Sequence, residues 1–418
     1  MSRNLLAFSA LAAGLWACRA PPAAAPVAKE RPPVSEAAVP APAPEPMPAV
    51  VGSLERPAAL ARLFEALAKL EAHELADDVR IVQLGDSHTA ADWQTGPVRR
   101  SLQARFGDGG RGFVPIGRPW KAWSQEGVLT GNAGDWTTEM NQPTSRRPTG
   151  DGVFGLSGVA MATRQPGARV WTEVLVPASS IELAYLEQPG GGSFELLADG
   201  VRARISTRAD APRAAFRAAE LSPSQAHHHL EVRALGDGAV RIFGAALERP
   251  EHGLVFDALG INGARVATPV SWQPEPWGEA LRHRAPSLAI LAYGTNDAVD
   301  AETSLDAFEA GLGEMLARVG RAAPCLVLGP PDRASQPSGE WKTTPRLGDI
   351  VARERHAAEA AGCAFYDQLA AMPGPSAAWR WGPDRVHLTR EGYAKLGEAF
   401  VGDLLRAYDE WRRIDSKP

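Results

Sequence analysis

Three residues far apart in this sequence have the types and local spacing needed for covalent catalysis. Ser87 directly follows a short apolar run, and Asp384 precedes His387 by three residues. A serine hydroxyl is a weak nucleophile until a base takes its proton. An aspartate held against one imidazole nitrogen fixes the tautomer in which the other nitrogen accepts that proton. The sequence therefore predicts a Ser87–His387–Asp384 triad.

Two further segments offer hydrogen-bond donors for a tetrahedral oxyanion. Gly263 follows a second apolar run and Asn296 follows a third. The backbone N–H groups of Ser87 and Gly263, with the side-chain amide of Asn296, could together stabilise the charge that develops on an attacked carbonyl. Gly260 is the alternative donor in its segment, and Asp297 is interpreted as a turn-forming residue.

The elements that must position these residues alternate between strands and helices. Helical stripes cover 60–70 and 93–106, and Ser304 and Thr389 are suited to cap two later helices. The apolar runs predict five buried parallel strands at 79–84, 254–259, 288–293, 325–328 and 363–366. We therefore expect an α/β fold with a three-layer, doubly wound, five-stranded parallel sheet. Its carboxyl edge would collect the candidate residues.

Between residues 121 and 250 the apolar period changes to two. Asp199-Gly200 is typical of a hairpin turn. Short strands are predicted at 169–176, 181–186, 194–197, 201–205, 230–235 and 240–246. This pattern predicts an all-β sandwich, residues 121–250, inserted into an α/β domain made of residues 57–120 and 251–415.

The amino terminus is typical of an exported protein. An apolar stretch ends in Leu-Trp-Ala-Cys at Cys18, which is similar to the lipobox of bacterial lipoproteins, with an ordinary signal as the alternative. Residues 1–18 are therefore predicted to be a lipoprotein signal peptide, with lipidation at Cys18. Residues 19–56, rich in Ala and Pro, are predicted to be an extended linker. The expected location is the cell envelope, with the lipid as the only membrane anchor.

Charge and motif content exclude several classes of protein. Lys and Arg total 44 against 49 Asp and Glu, for a net charge of −5, and no basic run is present. Nucleic acid is therefore not an expected partner. No sequence motif calls for a metal or a cofactor. His227, His228 and His229 are interpreted as solvent-facing polar residues, because adjacent strand residues point to opposite faces.

The four catalytic segments together resemble the SGNH, or GDSL-like, hydrolase superfamily. Ser87, Gly263, Asn296 and the Asp384–His387 pair match its blocks in order over about 230 residues of α/β scaffold, with Gly-Asp-Ser-His replacing Gly-Asp-Ser-Leu. That variant and the β insert look like the peptidoglycan O-acetylesterase branch, whose insert resembles a carbohydrate-binding module. The resemblance implies a serine esterase that removes O-acetyl groups from a cell-wall polysaccharide without a cofactor. Acetyl transfer to glycan, a lipase or thioesterase, and an inactive glycan-binding lipoprotein are the alternatives.

Three further features leave open interpretations. Cys325 and Cys363 begin neighbouring predicted strands, where either a disulfide or two buried thiols would fit. His88 is interpreted as a wall of the site, as are Trp379 and Trp381. A separate cluster of three tryptophans could stack on sugar rings or simply pack under a long loop. Its members are Trp120, Trp123 and Trp136.

Overall fold

The computed structural model describes residues 47–121, 123–142, 150–336, 341–372 and 382–415, all within one compact unit, Pro44–Pro418. Its α-helices are α1 Ala61–Glu71, α2 Ser87–Ala90, α3 Thr95–Phe106, α4 Ala267–Val270, α5 Pro274–Arg284, α6 Leu305–Gly320, α7 Leu347–Ala360 and α8 Arg390–Asp415. Short 3₁₀ helices cover Pro57–Leu60 and Asp297–Val299. The predicted signal peptide and Cys18 lie outside the described residues.

The strands fall into a mainly parallel sheet and two antiparallel ones. The first sheet contains β1 Val50–Val51, β2 Leu54–Glu55, β3 Val79–Gly85, β15 Leu254–Gly260, β16 Leu288–Ala292, β17 Cys325–Leu328 and β20 Ala364–Tyr366. The antiparallel sheets contain β4 Gly112–Val114, β5 Val128–Ala133, β6 Thr137–Met140, β7 Val159–Thr163, β8 Arg169–Val174, β9 Ser180–Glu187, β10 Ser193–Ala198, β11 Val201–Ser206, β12 Arg213–Glu220, β13 His228–Ala234 and β14 Val240–Glu248. A separate ribbon pairs β18 Ala334–Ser335 with β19 Lys342–Thr343.

The five predicted parallel strands form the centre of the first sheet in the order β15-β3-β16-β17-β20. In chain order this is 2-1-3-4-5, the flavodoxin-like doubly wound arrangement. Alternate residues of β3 and β16 point to opposite faces of the sheet and enter different apolar cores. One core lies under α1, α3 and α8, and the other lies under α6 and α7. Burial on both faces explains why these strands are uninterrupted apolar runs. The predicted three-layer fold is confirmed.

Both predicted helix caps are present. Ser304 Oγ accepts a hydrogen bond from the Ala307 N–H at 3.1 Å, at the start of α6. Thr389 Oγ1 accepts from the Gly392 N–H at 3.0 Å, directly before α8. Each hydroxyl satisfies a backbone donor that has no partner within its helix. The second cap also fixes where α8 begins, three residues after His387.

The strands of the two antiparallel sheets lie between α3 and β15 in the sequence, and the two sheets pack against each other. One follows the order β11-β10-β13-β8-β5 and the other β12-β9-β14-β7-β6, with β4 beside β14. Their inner faces share one apolar core. Asp199 and Gly200, both at positive φ, connect β10 to β11 in the predicted hairpin. The β insertion is therefore a sandwich. Because β4 already pairs with β14, antiparallel pairing begins before residue 121, and the predicted limits at 121 and 250 stay predictions.

The end of the segment predicted as a linker contributes to the sheet. β1 and β2 form a short hairpin, and β2 pairs antiparallel with β20 at the sheet edge. The Ser53 N–H donates to Asp403 Oδ2 at 2.9 Å, which ties this hairpin to α8. Among the described residues, no helix has the length and apolarity that crossing a bilayer requires.

Of the two arrangements considered for the cysteine pair, a disulfide or two buried thiols, the structure has the disulfide. Cys325 and Cys363 are bonded, with their Cα atoms 4.9 Å apart, across the neighbouring strands β17 and β20. Both residues are buried. A cross-link of this kind restricts the unfolded chain and belongs to oxidising compartments.

Removing the disulfide should destabilise the protein. The bond closes a loop with a sequence separation of 38, for which chain entropy predicts a loss of about 4 kcal/mol in the free energy of unfolding. We expect the double variant Cys325→Ala, Cys363→Ala to unfold at lower urea concentration than wild type. Adding a reductant should lower the wild-type midpoint and leave that of the variant unchanged. Equal midpoints for oxidised wild type and the variant would show that the bond contributes nothing.

Candidate active site

Ser87 lies at the carboxyl edge of the parallel sheet, where β3 turns into α2. A side chain at Gly85 would place its Cβ 2.2 Å from Thr89 Oγ1 and 2.8 Å from the Ala292 carbonyl, so the turn requires glycine. Asp86 caps α2 by accepting the His88 N–H at 2.9 Å. These contacts fix the serine at the switch point between neighbouring strands, where open α/β sheets bind their ligands.

The structure joins the three predicted triad residues into one hydrogen-bonded chain. His387 Nε2 lies 2.7 Å from Ser87 Oγ, and His387 Nδ1 lies 2.6 Å from Asp384 Oδ2. Because a carboxylate faces Nδ1, we assign the proton to Nδ1, which leaves Nε2 free to accept the serine proton. The fold brings together a serine and a histidine that are 300 positions apart in the sequence.

Asp384 is held as a carboxylate. Its Oδ1 accepts the backbone N–H groups of Val386 at 3.0 Å and His387 at 2.9 Å, while Oδ2 faces the His387 ring. Burial would raise the pKa of Asp384, but the hydrogen bonds from His387 and Val386 outweigh it and lower the pKa to about 2. The group that orients the imidazole is therefore ionised at any pH near neutrality.

The three predicted oxyanion donors surround the same turn. Asn296 Nδ2 donates to the Ala264 carbonyl at 2.9 Å and to Asp86 Oδ2 at 3.4 Å, so this amide bridges the segments that carry Gly263 and Ser87. Within the described part of the chain, neither the Ser87 nor the Gly263 N–H donates to a protein acceptor. The two backbone N–H groups are therefore available to an oxyanion, whereas the Asn296 amide would have to exchange its long contact with Asp86 for one with the oxyanion.

Between the two candidate glycines, the geometry favours Gly263. It is exposed at φ +77°, and a Cβ built there would have no atom within 4 Å. A Cβ on Gly260 would lie 2.2 Å from the Ala90 N atom, because that glycine allows β15 to approach α2. Gly260 therefore has a packing role.

Asp297 has the structural position that the sequence analysis assigned to it. Its carboxylate accepts the Val266 N–H at 3.2 Å and the Gly294 N–H at 3.3 Å, which joins the loops after β15 and β16. Burial raises the pKa of Asp297 to about 6, although these backbone hydrogen bonds oppose the shift. Asp297 thus positions the loops that carry Gly263 and Asn296.

His88 packs against His387 as a wall of the candidate site. Its ring centroid lies 5.4 Å from that of His387, and its Nδ1 lies 2.7 Å from the Tyr393 hydroxyl. Burial, followed by the nearby His387 and Arg333 charges, lowers the pKa of His88 to about 3, so its ring is neutral. A neutral ring provides a partner for Tyr393 without adding a second positive charge beside His387.

The described residues place none of the tryptophans singled out in the sequence in this site. Trp379 and Trp381 lie outside the described residues. Three other tryptophans pack on the sandwich core: Trp120, Trp123 and Trp136. This position favours the packing interpretation over contact with a sugar.

The interpretation of the three adjacent histidines as solvent-facing was wrong for His228. This residue is fully buried, with Nδ1 2.6 Å from Asp199 Oδ2 and Nε2 accepting the Ala178 N–H at 3.1 Å. Two partners on opposite ring nitrogens compensate its burial. His227 and His229 both bond Glu173 on the outer face.

Removing the Asn296 amide should slow turnover. Loss of one oxyanion donor typically costs about 10²–10³-fold in kcat, so we expect that loss for Asn296→Ala with an activated acetyl ester and little change in KM. Asn132→Ala is the matched control, because the Asn132 side chain bonds Arg118 on the sandwich. An unchanged kcat for Asn296→Ala would remove Asn296 from the oxyanion site.

Part of this chain is similar to a known protein family. Residues 224–395 match the model of the GDSL-like Lipase/Acylhydrolase family. The match includes Gly263, Asn296, Asp384 and His387, and Ser87 precedes it.

The solved structure of a peptidoglycan O-acetylesterase is similar to this chain with a TM-score of 0.70 at 24% identity, covering 83% of this chain and 96% of that chain. This likeness establishes a shared fold. A family two carbohydrate esterase from Clostridium thermocellum, bound to cellohexaose, gives a TM-score of 0.28 at 12% identity, covering 60% of this chain and 95% of that one. A lipase/acylhydrolase from Enterococcus faecalis gives 0.31 at 19%, covering 36% and 75%. No curated protein matches.

Proposed function

We propose that this protein is a serine esterase that removes O-acetyl groups from a cell-wall polysaccharide, with peptidoglycan as the substrate. The observation that carries the proposal is the hydrogen-bonded chain from Ser87 through His387 to Asp384. A nucleophile, a general base and a charged orienting group in this order are the components of acyl transfer.

The proposed reaction has two steps. Ser87 Oγ attacks the acetyl carbonyl as His387 Nε2 takes its proton, and the carbonyl oxygen becomes an oxyanion held by Ser87, Gly263 and Asn296. Collapse breaks the bond between the carbonyl carbon and the sugar oxygen, which takes the proton from His387. A water molecule, deprotonated by His387, then attacks the acetyl-enzyme and releases acetate and free Ser87.

Two observations support the substrate class. The fold follows that of a peptidoglycan O-acetylesterase over 83% of this chain and 96% of that chain. A disulfide between Cys325 and Cys363 suits an oxidising compartment, as does the predicted export signal. We propose that the protein is anchored in the cell envelope by a lipid on Cys18, where it would meet the polysaccharide.

Acetate release from defined glycans tests this function. We expect wild-type protein to release acetate from O-acetylated peptidoglycan faster than from other acetylated polysaccharides. Short acyl esters should be preferred, so an acetyl ester should be hydrolysed faster than an octanoyl ester of the same leaving group. Rates that rise with acyl length would instead indicate a lipase or thioesterase. Acetyl appearing on a sugar acceptor would indicate transfer, and no turnover of any ester would indicate a glycan-binding protein.

A further inference from the structure

A surface groove beside the catalytic site is formed where the start of α8 approaches the segment joining α2 to α3. It has a volume of about 350 Å³ and extends towards the start of the sandwich. The lining residues that matter here are Trp93, Arg100, Glu126 and Arg390. None of them belongs to the triad or to the oxyanion site.

Trp93 and Arg390 give the groove an aromatic and cationic wall. Trp93 is 36% exposed, and Arg390 Cζ lies 5.3 Å from its ring centroid. Arg390 is itself exposed, and no carboxylate of the described residues lies within 4.0 Å of it. An exposed indole beside an unpaired guanidinium provides apolar surface for a sugar ring and charge for an anion.

The other charged groups at the groove are paired with one another, which leaves Arg390 as the exception. Asp92 in its floor is buried and pairs with Arg99 and Arg111, each at 3.1 Å. Arg100 pairs with Glu126 on the rim, and both side chains are about half exposed. Arg99 and Arg111 are buried and do not line the groove, so among its lining residues Arg390 is the guanidinium left for an anionic ligand.

A line of packed rings connects this groove to the triad. The Trp93 ring lies 5.9 Å from Tyr393, the Tyr393 ring 5.8 Å from His88, and the His88 ring 5.4 Å from His387. Arg390 follows His387 by three residues. The two middle rings, Tyr393 and His88, are buried, so they fix the position of the groove wall relative to the triad.

We infer that this groove binds a carboxylate-bearing stretch of the glycan whose acetyl ester Ser87 attacks, with a sugar ring against Trp93 and the carboxylate on Arg390. The inference rests on the proposed esterase function and assigns the groove its ligand chemistry. The carboxylate could belong to the sugar itself or to a peptide attached to it. Either source presents the same group to the guanidinium.

The test compares acetylated substrates that differ in charge. They are a peptide-free glycan with sugar carboxylates, a peptide-bearing glycan fragment, a neutral acetylated xylo-oligosaccharide and 4-nitrophenyl acetate. We expect Arg390→Gln to raise KM about ten-fold on whichever carboxylate-bearing glycan is recognised, well beyond its effect on the neutral oligosaccharide. Arg390→Lys should recover part of the loss, and Trp93→Ala should raise KM on every oligosaccharide more than on the small ester. High salt should weaken the Arg390 effect.

The control is Arg202→Gln, an exposed arginine on β11, which should match wild type on every substrate. Equal KM changes for Arg390→Gln on charged and neutral glycans would overturn the inference and leave the esterase proposal intact. Binding of the same glycans without acetyl groups to the Ser87→Ala protein, followed by tryptophan fluorescence, separates the two claims. Binding that does not depend on Arg390 rejects the groove whatever the enzyme hydrolyses, whereas failure of wild type on every acetylated glycan rejects the proposed function.

Discussion

Ser87→Ala is expected to lower kcat for an activated acetyl ester by at least about 10⁴-fold, because in the proposed mechanism the acyl-enzyme forms on the Ser87 hydroxyl. The oxygen removed is the one 2.7 Å from His387 Nε2. The fold should be preserved, because the α2 cap is made by Asp86 and the turn by Gly85. Initial rates on the ester, with unfolding curves for both proteins, measure the effect.

Ser206→Ala provides the matched control for this loss. Ser206 is an exposed residue of β11, outside the parallel sheet, so its loss should leave both rate and stability unchanged. A Ser87→Ala protein that is folded and still hydrolyses the ester within ten-fold of wild type would contradict the assignment of the nucleophile.

Asp384→Asn is expected to reduce kcat by about 10³–10⁴-fold while KM changes little. The carboxylate accepts a hydrogen bond from His387 Nδ1, and its pKa of about 2 keeps it ionised at working pH. An amide presents an N–H in place of one oxygen and favours the opposite imidazole tautomer, in which Nε2 can no longer accept the serine proton. The imidazolium formed during turnover would also lose its counter-charge.

The control for the charge change is Asp237→Asn. Asp237 also accepts hydrogen bonds that lower its pKa, but it lies in a turn of the sandwich. The Asp237→Asn variant should lose some stability and no activity. Equal kcat values for Asp384→Asn and wild type, both folded, would show that His387 needs no orienting carboxylate.

The parallel sheet could be predicted because its strands are buried on both faces. The run at 325–328 was predicted with the limits that β17 has, and β3 differs from its prediction by one residue. Helix α7 was not predicted individually. Its buried stripe includes the short side chains of Ala357 and Ala358 and the polar Glu354, so its apolar periodicity is weak.

Edge strands of the sandwich were harder to recognise. β12, Arg213–Glu220, contains four alanines and no β-branched residue, and it lies at a sheet edge with no fully buried residue. Its strand conformation comes from pairing with β9, a tertiary contact that overrides local propensity. The buried position of His228 was missed for a similar reason, since its two partners come from distant turns.

The residues of the candidate site were predictable because each one lies shortly after a strand or shortly before a helix. Sequence order could place Ser87, Gly263 and Asn296 at one sheet edge, but it could not distinguish Gly263 from Gly260. Only packing does so, through the close approach of Gly260 to Ala90. The Asn296 contact to Asp86 and the groove between Trp93 and Arg390 also join segments that have no shared local pattern.

Covalent labelling with a fluorophosphonate tests the central claim most directly. The probe reacts with an activated serine, so intact-mass analysis should show one adduct per chain, and peptide mapping should locate it on Ser87. Labelling should disappear in Ser87→Ala and fall sharply in His387→Ala, because the imidazole activates the hydroxyl. An adduct on another residue, or full ester hydrolysis by a protein that takes up no label, would contradict the account.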